Sequence, residues 1–294
     1  MQSEEKRAIA IFAHNEAKNI ISCLESVKKS MRACDECYVL NNGSCDDTGE
    51  LVRTFAKKNS FCKLISIEIG DKSNAWNVFC HELSISASMY IFLDGDCTVV
   101  SGALDSLEYG LENNPSANAC AALPLESVSK KNREQMLREG GLAGNLYALS
   151  RNFLERIRSA DVRLPVGFIG DDSLVGALAC WDLDPRNSWD SGRIVLCKDA
   201  NFSYDPLSLL SVADMRLYYR RKISYSLRRY QMSIIKEPLQ MHGIGAIPKS
   251  VDDLYLNSPE LLKLTWRGLD TWFDYLALKR IRKFMTNRAR ETLI

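Results

Sequence analysis

Three groups of residues in this chain could do chemistry by type and spacing. Asp94 and Asp96 flank Gly95 at the end of the apolar run Tyr90 to Leu93, in "YIFLDGDCT". Side chains two apart on a strand point the same way. A charge taken out of water is costly unless it is paired or bound to a cation. Two converging carboxylates at a strand end therefore predict a hard oxygen site for Mn²⁺ or Mg²⁺ that can share phosphate oxygens. Gly95 between them would let a ligand approach the backbone. A second acidic pair, Asp171-Asp172 in "IGDDSLVGAL", opens an apolar helix. Taken alone it suits a helix N-terminus and a general base equally well. The third group is basic: Arg220-Arg221-Lys222 and Arg228-Arg229, with His242 beyond. It suits contact with a diphosphate, or a plain solvated helix face. His242 is a candidate third metal ligand or diphosphate contact, although a surface histidine is the simpler expectation.

The elements that must position these groups alternate between strand and helix. Ala8 to Ala13 is a short apolar run, hence a buried strand, and Ile20, Leu24, Val27 and Met31 follow at helical spacing. A strand over Tyr38 to Leu40 ends in the turn-like "NNGSCDDT". A helix is expected over 48–58, a strand over 63–69, a helix near 74–86, and then the strand ending at Asp94. This rhythm predicts an α/β fold with a mostly parallel sheet flanked by helices. Such sheets bind ligands at the carboxyl ends of their strands, where "AHNE", "NNGS" and "DGD" all fall. Further on, 118–124 and 193–197 read as strands, and "GGLAGNLYALSRNFLERI" starts with glycines and becomes helical. Residues 261–294 carry eight Lys or Arg against three acids. There Leu262, Trp266, Leu269, Phe273 and Leu276 recur as the stripe of an amphipathic helix. Packing of that stripe on the body or on a second subunit, as in a homodimer, is favoured over contact with an anionic membrane.

Composition removes several classes. A formal net charge of +1 over 294 residues argues against a general nucleic-acid binder. The ten cysteines sit largely in apolar runs, and the charged start resembles no signal peptide, so free thiols and a reducing cytoplasm are expected. The lone CxxC at Cys34 and Cys37 has no second pair at zinc-ribbon spacing. No run approaches the ~18 apolar residues of a membrane span.

Two chemistries use a D-x-D pair after an apolar strand. "DGDCT" satisfies the signature of haloacid-dehalogenase-type phosphatases, with Asp94 as nucleophile. That signature normally opens its domain, whereas here about ninety well-patterned residues precede it, and these carry further motifs. "AIAIFAHNEAKNI", "YVLNNGSCDDT", "GDKSNAWN", "FLDGD" and "IGDDSLVGAL" follow one another in an order and spacing that resemble the family 2 glycosyltransferases over residues 8 to about 205.

The resemblance implies a GT-A fold, an inverting glycosyltransferase, a nucleotide-diphosphate sugar donor (a UDP-sugar first), and a saccharide or lipid-linked acceptor in polysaccharide or glycolipid synthesis. It implies that Ala13, His14, Asn15 and Glu16 line the nucleotide pocket with Asn41 and Asn42, and that Lys72 and Asn77 lie toward the donor. Asp96 would hold the metal, Mn²⁺ or Mg²⁺, assisted by Asp94, which with Gly95 also contacts the donor. Asp172 would be the base and Asp171 its support, with Arg220, Arg221 and His242 as further contacts. The chain divides accordingly into a catalytic domain over 1–210, with a nucleotide-sugar half over 1–100 and an acceptor half over 101–210, and a basic helical extension over 211–294. The protein is expected in the cytoplasm or at the inner face of the cell membrane. A catalytically silent sugar-nucleotide binder is the remaining alternative. Two positions depart from the family pattern. Asn41-Asn42 stands where aspartates are usual, which changes the donor and acceptor pattern offered to a base. Asp171-Asp172 stands where Glu-Asp is usual.

Overall fold

The computed structural model describes residues 6–206, 211–257 and 259–291. The expected domain boundary at 210/211 abuts residues 207–210, which lie outside the described residues.

The first strand, β1 (Arg7–Ala13), is buried along its whole length, as a near-continuous apolar run requires of a central parallel strand. Then follow α1 (Ile20–Ser30), β2 (Glu36–Asn42), α2 (Thr48–Lys58), β3 (Cys62–Ile67), α3 (Lys72–Asn77) and β4 (Met89–Asp94). β3, β2, β1 and β4 lie side by side and parallel. Register sets Ala13 opposite Asn41 and Phe12 opposite Asp94, so the motif-bearing strand ends share one edge. The helix expected near 74–86 starts earlier, at Lys72, and its second half is a π-helical turn, Val78–Glu82.

Beyond β4 the expected parallel order gives way. After β5 (Cys97–Val99) and α4 (Ala103–Glu112) come β6 (Ala119–Pro124), α5 (Glu126–Glu139), β7 (Leu146–Ser150), α6 (Arg151–Ser159), α7 (Asp171–Cys180) and β8 (Ile194–Tyr204). β7 runs antiparallel to both β4 and β6, and β8 runs parallel to β6 and antiparallel to β5. The result is a mixed sheet of eight strands, ordered β3-β2-β1-β4-β7-β6-β8-β5. The sequence reading missed β7 because "LYALS" is a five-residue apolar run, too short for periodicity to separate strand from buried helix. It left α5 unassigned because none of that helix's residues is buried, so no apolar stripe marks it.

Both faces of the sheet are packed. On one, Phe92 stacks on Tyr147 at 4.8 Å and on Trp76 at 6.2 Å, and the Trp76 indole N–H donates to the Tyr147 hydroxyl at 3.2 Å. Each of these fully buried rings contributes roughly 1.5–3 kcal/mol by burial, and together they fix α3 beneath the edge that carries the acids. All ten cysteines are free thiols.

The C-terminal part is helical: α8 (Val212–His242), α9 (Val251–Asn257) and α10 (Asp270–Glu291). The apolar stripe expected across 262–276 is not one helix face. α10 begins only at Asp270, and of the five residues Leu262 is buried, Phe273 and Leu276 are half-buried, and Trp266 and Leu269 are exposed. The helix packs inward through Ala277, Leu278 and Ile281 instead.

Candidate active site

Two loops are tied together at the motif-bearing edge of the sheet. Asn15 sits in the left-handed region at φ 57°, its N–H donating to Ser44 Oγ and its side-chain oxygen accepting from the Cys45 N–H. The Glu16 N–H donates to Thr48 Oγ1 and the Ala17 N–H to the Asp46 carboxylate. "AHNEA" and "NNGSCDDT" are therefore one hydrogen-bonded unit. Gly43 turns the second loop at φ +62°, where a Cβ would lie 2.5 Å from the Gly70 amide nitrogen. Gly95 is needed for a comparable reason: its N–H donates to Phe12 O at 2.8 Å, and a Cβ would lie 3.0 Å from that oxygen.

Phe12, Ala13, His14, Glu16, Asn42, Lys72, Asp94, Gly95 and Asp96 line one cavity of about 180 Å³. His14 Nδ1 lies 2.6 Å from the Asn42 carbonyl oxygen, and Asn42 Oδ1 accepts from the Asp71 N–H at 2.8 Å. Asn41 points the other way, toward Gly49 of α2, and its buried Oδ1 has no hydrogen-bond partner. Asn77 is not part of this cavity. It exchanges hydrogen bonds with the backbone of Leu164 at 2.8 Å in both directions, which ties α3 to the segment before α7.

The two acidic pairs meet at Lys72. Its ammonium lies 2.7 Å from Asp94 Oδ1 and 3.4 Å from Asp171 Oδ2. Burial works against the Lys72 charge, but Asp171 and Asp94 outweigh it and hold its pKa above the ordinary lysine value. Burial pushes Asp94 up to about 7, with Lys72 opposing and Asp96 and Asp171 adding to the rise. Asp171 is raised as well, by burial first, and its Oδ2 makes no hydrogen bond.

Neither acid caps α7. The N-cap is Gly170, without a side-chain bond. Asp172 is not part of the smaller cavity and lines a second one of about 520 Å³. Its oxygens accept from the N–H groups of Ser173 at 2.8 Å and Gly144 at 3.2 Å, and Arg228 lies 3.0 Å away. This cavity is walled by α5, the 140–145 segment and α7, with Asn132, Gln135, Asn145, Trp189 and Tyr204 among its lining.

Helix α8 sorts its basic residues into two lines. Arg221 reaches Asp96 at 3.6 Å and Arg228 reaches Asp172. Lys222 pairs with Asp270 at 2.8 Å and Arg229 with Asp274 at 3.0 Å, both on α10. Each line has a seven-residue spacing, which is two helical turns. Arg220 lies on neither line and is exposed. His242 is exposed at the end of α8, about 21 Å along the axis from Arg228 at 1.5 Å per residue, so it is remote from both acidic pairs. Arg228 belongs to the basic group that the sequence singles out. Sequence reasoning missed Asn145, whose carbonyl accepts from the Asp94 N–H at 3.1 Å. No signal marked it, because its place depends on the pairing of β7 with β4.

The residues present fit a divalent cation shared with a phosphate ligand. Among the described residues no cluster of three or more ligating side chains forms. Asp94 and Asp96 offer one or two carboxylates, the usual protein share for an ion completed by substrate phosphates, and both now face cationic side chains.

Solved structures with the same fold are distant in sequence. The mannosyltransferase PcManGT from Pyrobaculum calidifontis, in complex with GDP-Man and Mn²⁺, superposes with a TM-score of 0.60 at 16% identity, covering 100% of this chain and 82% of that one. GalNAc-T7 with UDP, GalNAc and Mn²⁺ gives 0.53 at 12% identity, covering 88% of this chain, which spans only 57% of that protein. Residues 1–349 of S. aureus TarS give 0.50 at 13% identity, covering 97% and 92%. No curated protein matches the chain. The sequence model of glycosyl transferase family 2 matches residues 8–170, more than half of the chain and all of the donor-side edge, and the protein therefore belongs to that family as a glycosyltransferase with a GT-A-like α/β fold.

Proposed function

We propose that the chain moves a sugar from a nucleoside-diphosphate donor to an acceptor hydroxyl with inversion at the anomeric carbon. The observation that carries this is the seam at Lys72, which joins a donor-side acidic pair to a second acidic pair facing a separate cavity. The nucleotide diphosphate occupies the cavity lined by His14, Glu16, Asn42, Asp94 and Asp96. Asp96, assisted by Asp94, would hold the Mn²⁺ or Mg²⁺, which would neutralise charge growing on the departing diphosphate. Arg221, now paired with Asp96, would turn toward donor phosphates, and Arg228 would orient Asp172. The acceptor lies in the larger cavity. As its oxygen bonds to the anomeric carbon and the bond to the diphosphate breaks, its proton passes to Asp172. The Ser173 and Gly144 N–H groups hold that carboxylate in place, and such a base supplies roughly 10²–10⁴-fold.

Side-chain amides and the rings of Trp189 and Tyr204 suit a saccharide acceptor, whose hydroxyls need hydrogen-bond partners and whose C–H faces pack on rings. The phosphatase reading of Asp94 yields to the family assignment. The test is nucleoside-diphosphate release from UDP-, GDP- and dTDP-sugars with Mn²⁺ or Mg²⁺, with and without oligosaccharide acceptors. Acceptor-stimulated, metal-dependent release is expected. Donor binding with neither transfer nor hydrolysis would instead establish a silent sugar-nucleotide binder.

A further inference from the structure

Helix α10 has two opposed faces. Asp274, Ala277, Leu278 and Ile281 are buried against the protein. Trp272, Tyr275, Lys279, Arg282, Lys283 and Thr286 recur at spacings of three and four, which is one helical face. All six are exposed. Trp272 and Tyr275 stack at 5.8 Å. The preceding segment adds Trp266 and Leu269, which are 85% and 93% exposed. Leu264 joins Tyr275, Lys279, Arg282 and Lys283 around a shallow groove, so the apolar and cationic parts are contiguous.

The charge on this face is unbalanced. Between Thr271 and Thr286 the only acid is Asp274, which is buried and held by Arg229 and Arg267. Lys279, Arg280, Arg282 and Lys283 have no ion pair among the described residues. A protein surface seldom leaves two tryptophans and a leucine this open without a use. Indoles beside uncompensated cations match the interfacial and headgroup layers of an anionic bilayer.

We infer that the outer face of α10, together with the Leu264–Leu269 segment, docks the protein on an anionic lipid surface, with Trp266, Leu269 and Trp272 entering the interface and Lys279, Arg282 and Lys283 meeting lipid phosphates. No helix among the described residues is long and apolar enough to cross a membrane, so this is a peripheral contact lying in the interface plane. Uncompensated charge on the face favours lipid over a second copy of the chain, because a two-fold contact would oppose like charges.

The test is flotation of the full chain with phosphatidylcholine vesicles and with vesicles that also contain phosphatidylglycerol, following tryptophan emission. Binding to the anionic vesicles alone, a blue shift, and release by high salt are expected. The triple variant Lys279→Gln/Arg282→Gln/Lys283→Gln should bind about tenfold or more weakly. The double variant Trp266→Ser/Trp272→Ser should lose the blue shift. These residues are exposed, so the variants should melt like the parent, and the melting curve serves as the folding control. Absence of binding to anionic vesicles would overturn the inference. So would a concentration-dependent dimer in sedimentation that the tryptophan variant abolishes, or binding unaffected by both variants. None of these outcomes depends on whether the chain transfers sugar.

Discussion

Asp171 and Asp172 are neighbours with different surroundings, and the proposed roles follow that difference. Asp171 is buried beside Lys72, whereas Asp172 lines the larger cavity with its oxygens held by two N–H groups and Arg228. Asp172→Asn keeps the shape and removes the proton acceptor. Transfer should fall by about 10²–10⁴-fold while donor affinity, read by calorimetry, changes little. A loss of donor affinity of similar size would move Asp172 to the donor side. Asp96→Asn should do the reverse of the first outcome, weakening donor binding in the presence of Mn²⁺ more than in its absence. The Asp94-Asp96 pair was legible from its place at a strand end, whereas Asp171-Asp172 alone read equally as a helix N-terminus and needed the family pattern. Arg228 was legible as a basic residue but its pairing with Asp172 was not, because it lies on a helix that crosses the site from a distant part of the chain.

The donor edge depends on β1 and β2 holding register, and two polar anchors at its opposite end do this. Arg7 is fully buried; its N–H, Nε and Nη2 donate to Asp35 at 2.6–2.9 Å, and Nη1 donates to Asp105 at 2.7 Å. Asp35→Ala leaves a buried cation short of its main partner and should cost about 3–5 kcal/mol in urea unfolding. A cost near zero would show that Asp105 and Glu108, which also approach Arg7, suffice. Glu36 at the start of β2 accepts from Lys6, Lys63 and Tyr38. Burial alone would raise its pKa, but these donors outweigh that and hold it at about 2. A depressed carboxylate pKa contributes stability above the ordinary value of 4.5 and loses it as pH falls through about 2. After screening at these part-exposed lysines the effect is about 1 kcal/mol. Glu36→Gln should therefore melt lower than the parent at neutral pH and converge with it near pH 2, and a gap that persists in acid would refute the assignment. β1 and β4 were readable as apolar runs and β2 and β3 from their alternation with helices, and β6 and the start of β8 also read as strands. β5, β7 and α5 were not readable, since the two strands are short and α5 buries nothing.

At the scale of the molecule, the C-terminal helices are a brace for the site. α8 gives Arg221 and Arg228 to the two acidic pairs and, one residue further round, Lys222 and Arg229 to Asp270 and Asp274 of α10. The same helix is tied to the segment before α7 by Gln231, whose amide accepts from the Ile169 N–H and donates to Gly167 O and the Tyr255 hydroxyl. An extension that could be cut from the catalytic core without consequence would share none of these bonds. A chain ending at Asn257 loses the partners of Lys222 and Arg229 and exposes the α8 face that covers Ala277, Leu278 and Ile281. It should melt lower than the parent, and its affinity for a nucleotide sugar with Mn²⁺ should fall about tenfold, roughly 1.4 kcal/mol, as Arg221 loses its fixed placement. The double variant Lys222→Gln/Arg229→Gln keeps the full chain and should show the same loss in weaker form. Unchanged donor affinity in both would mean that α8 positions its arginines by packing on the core alone.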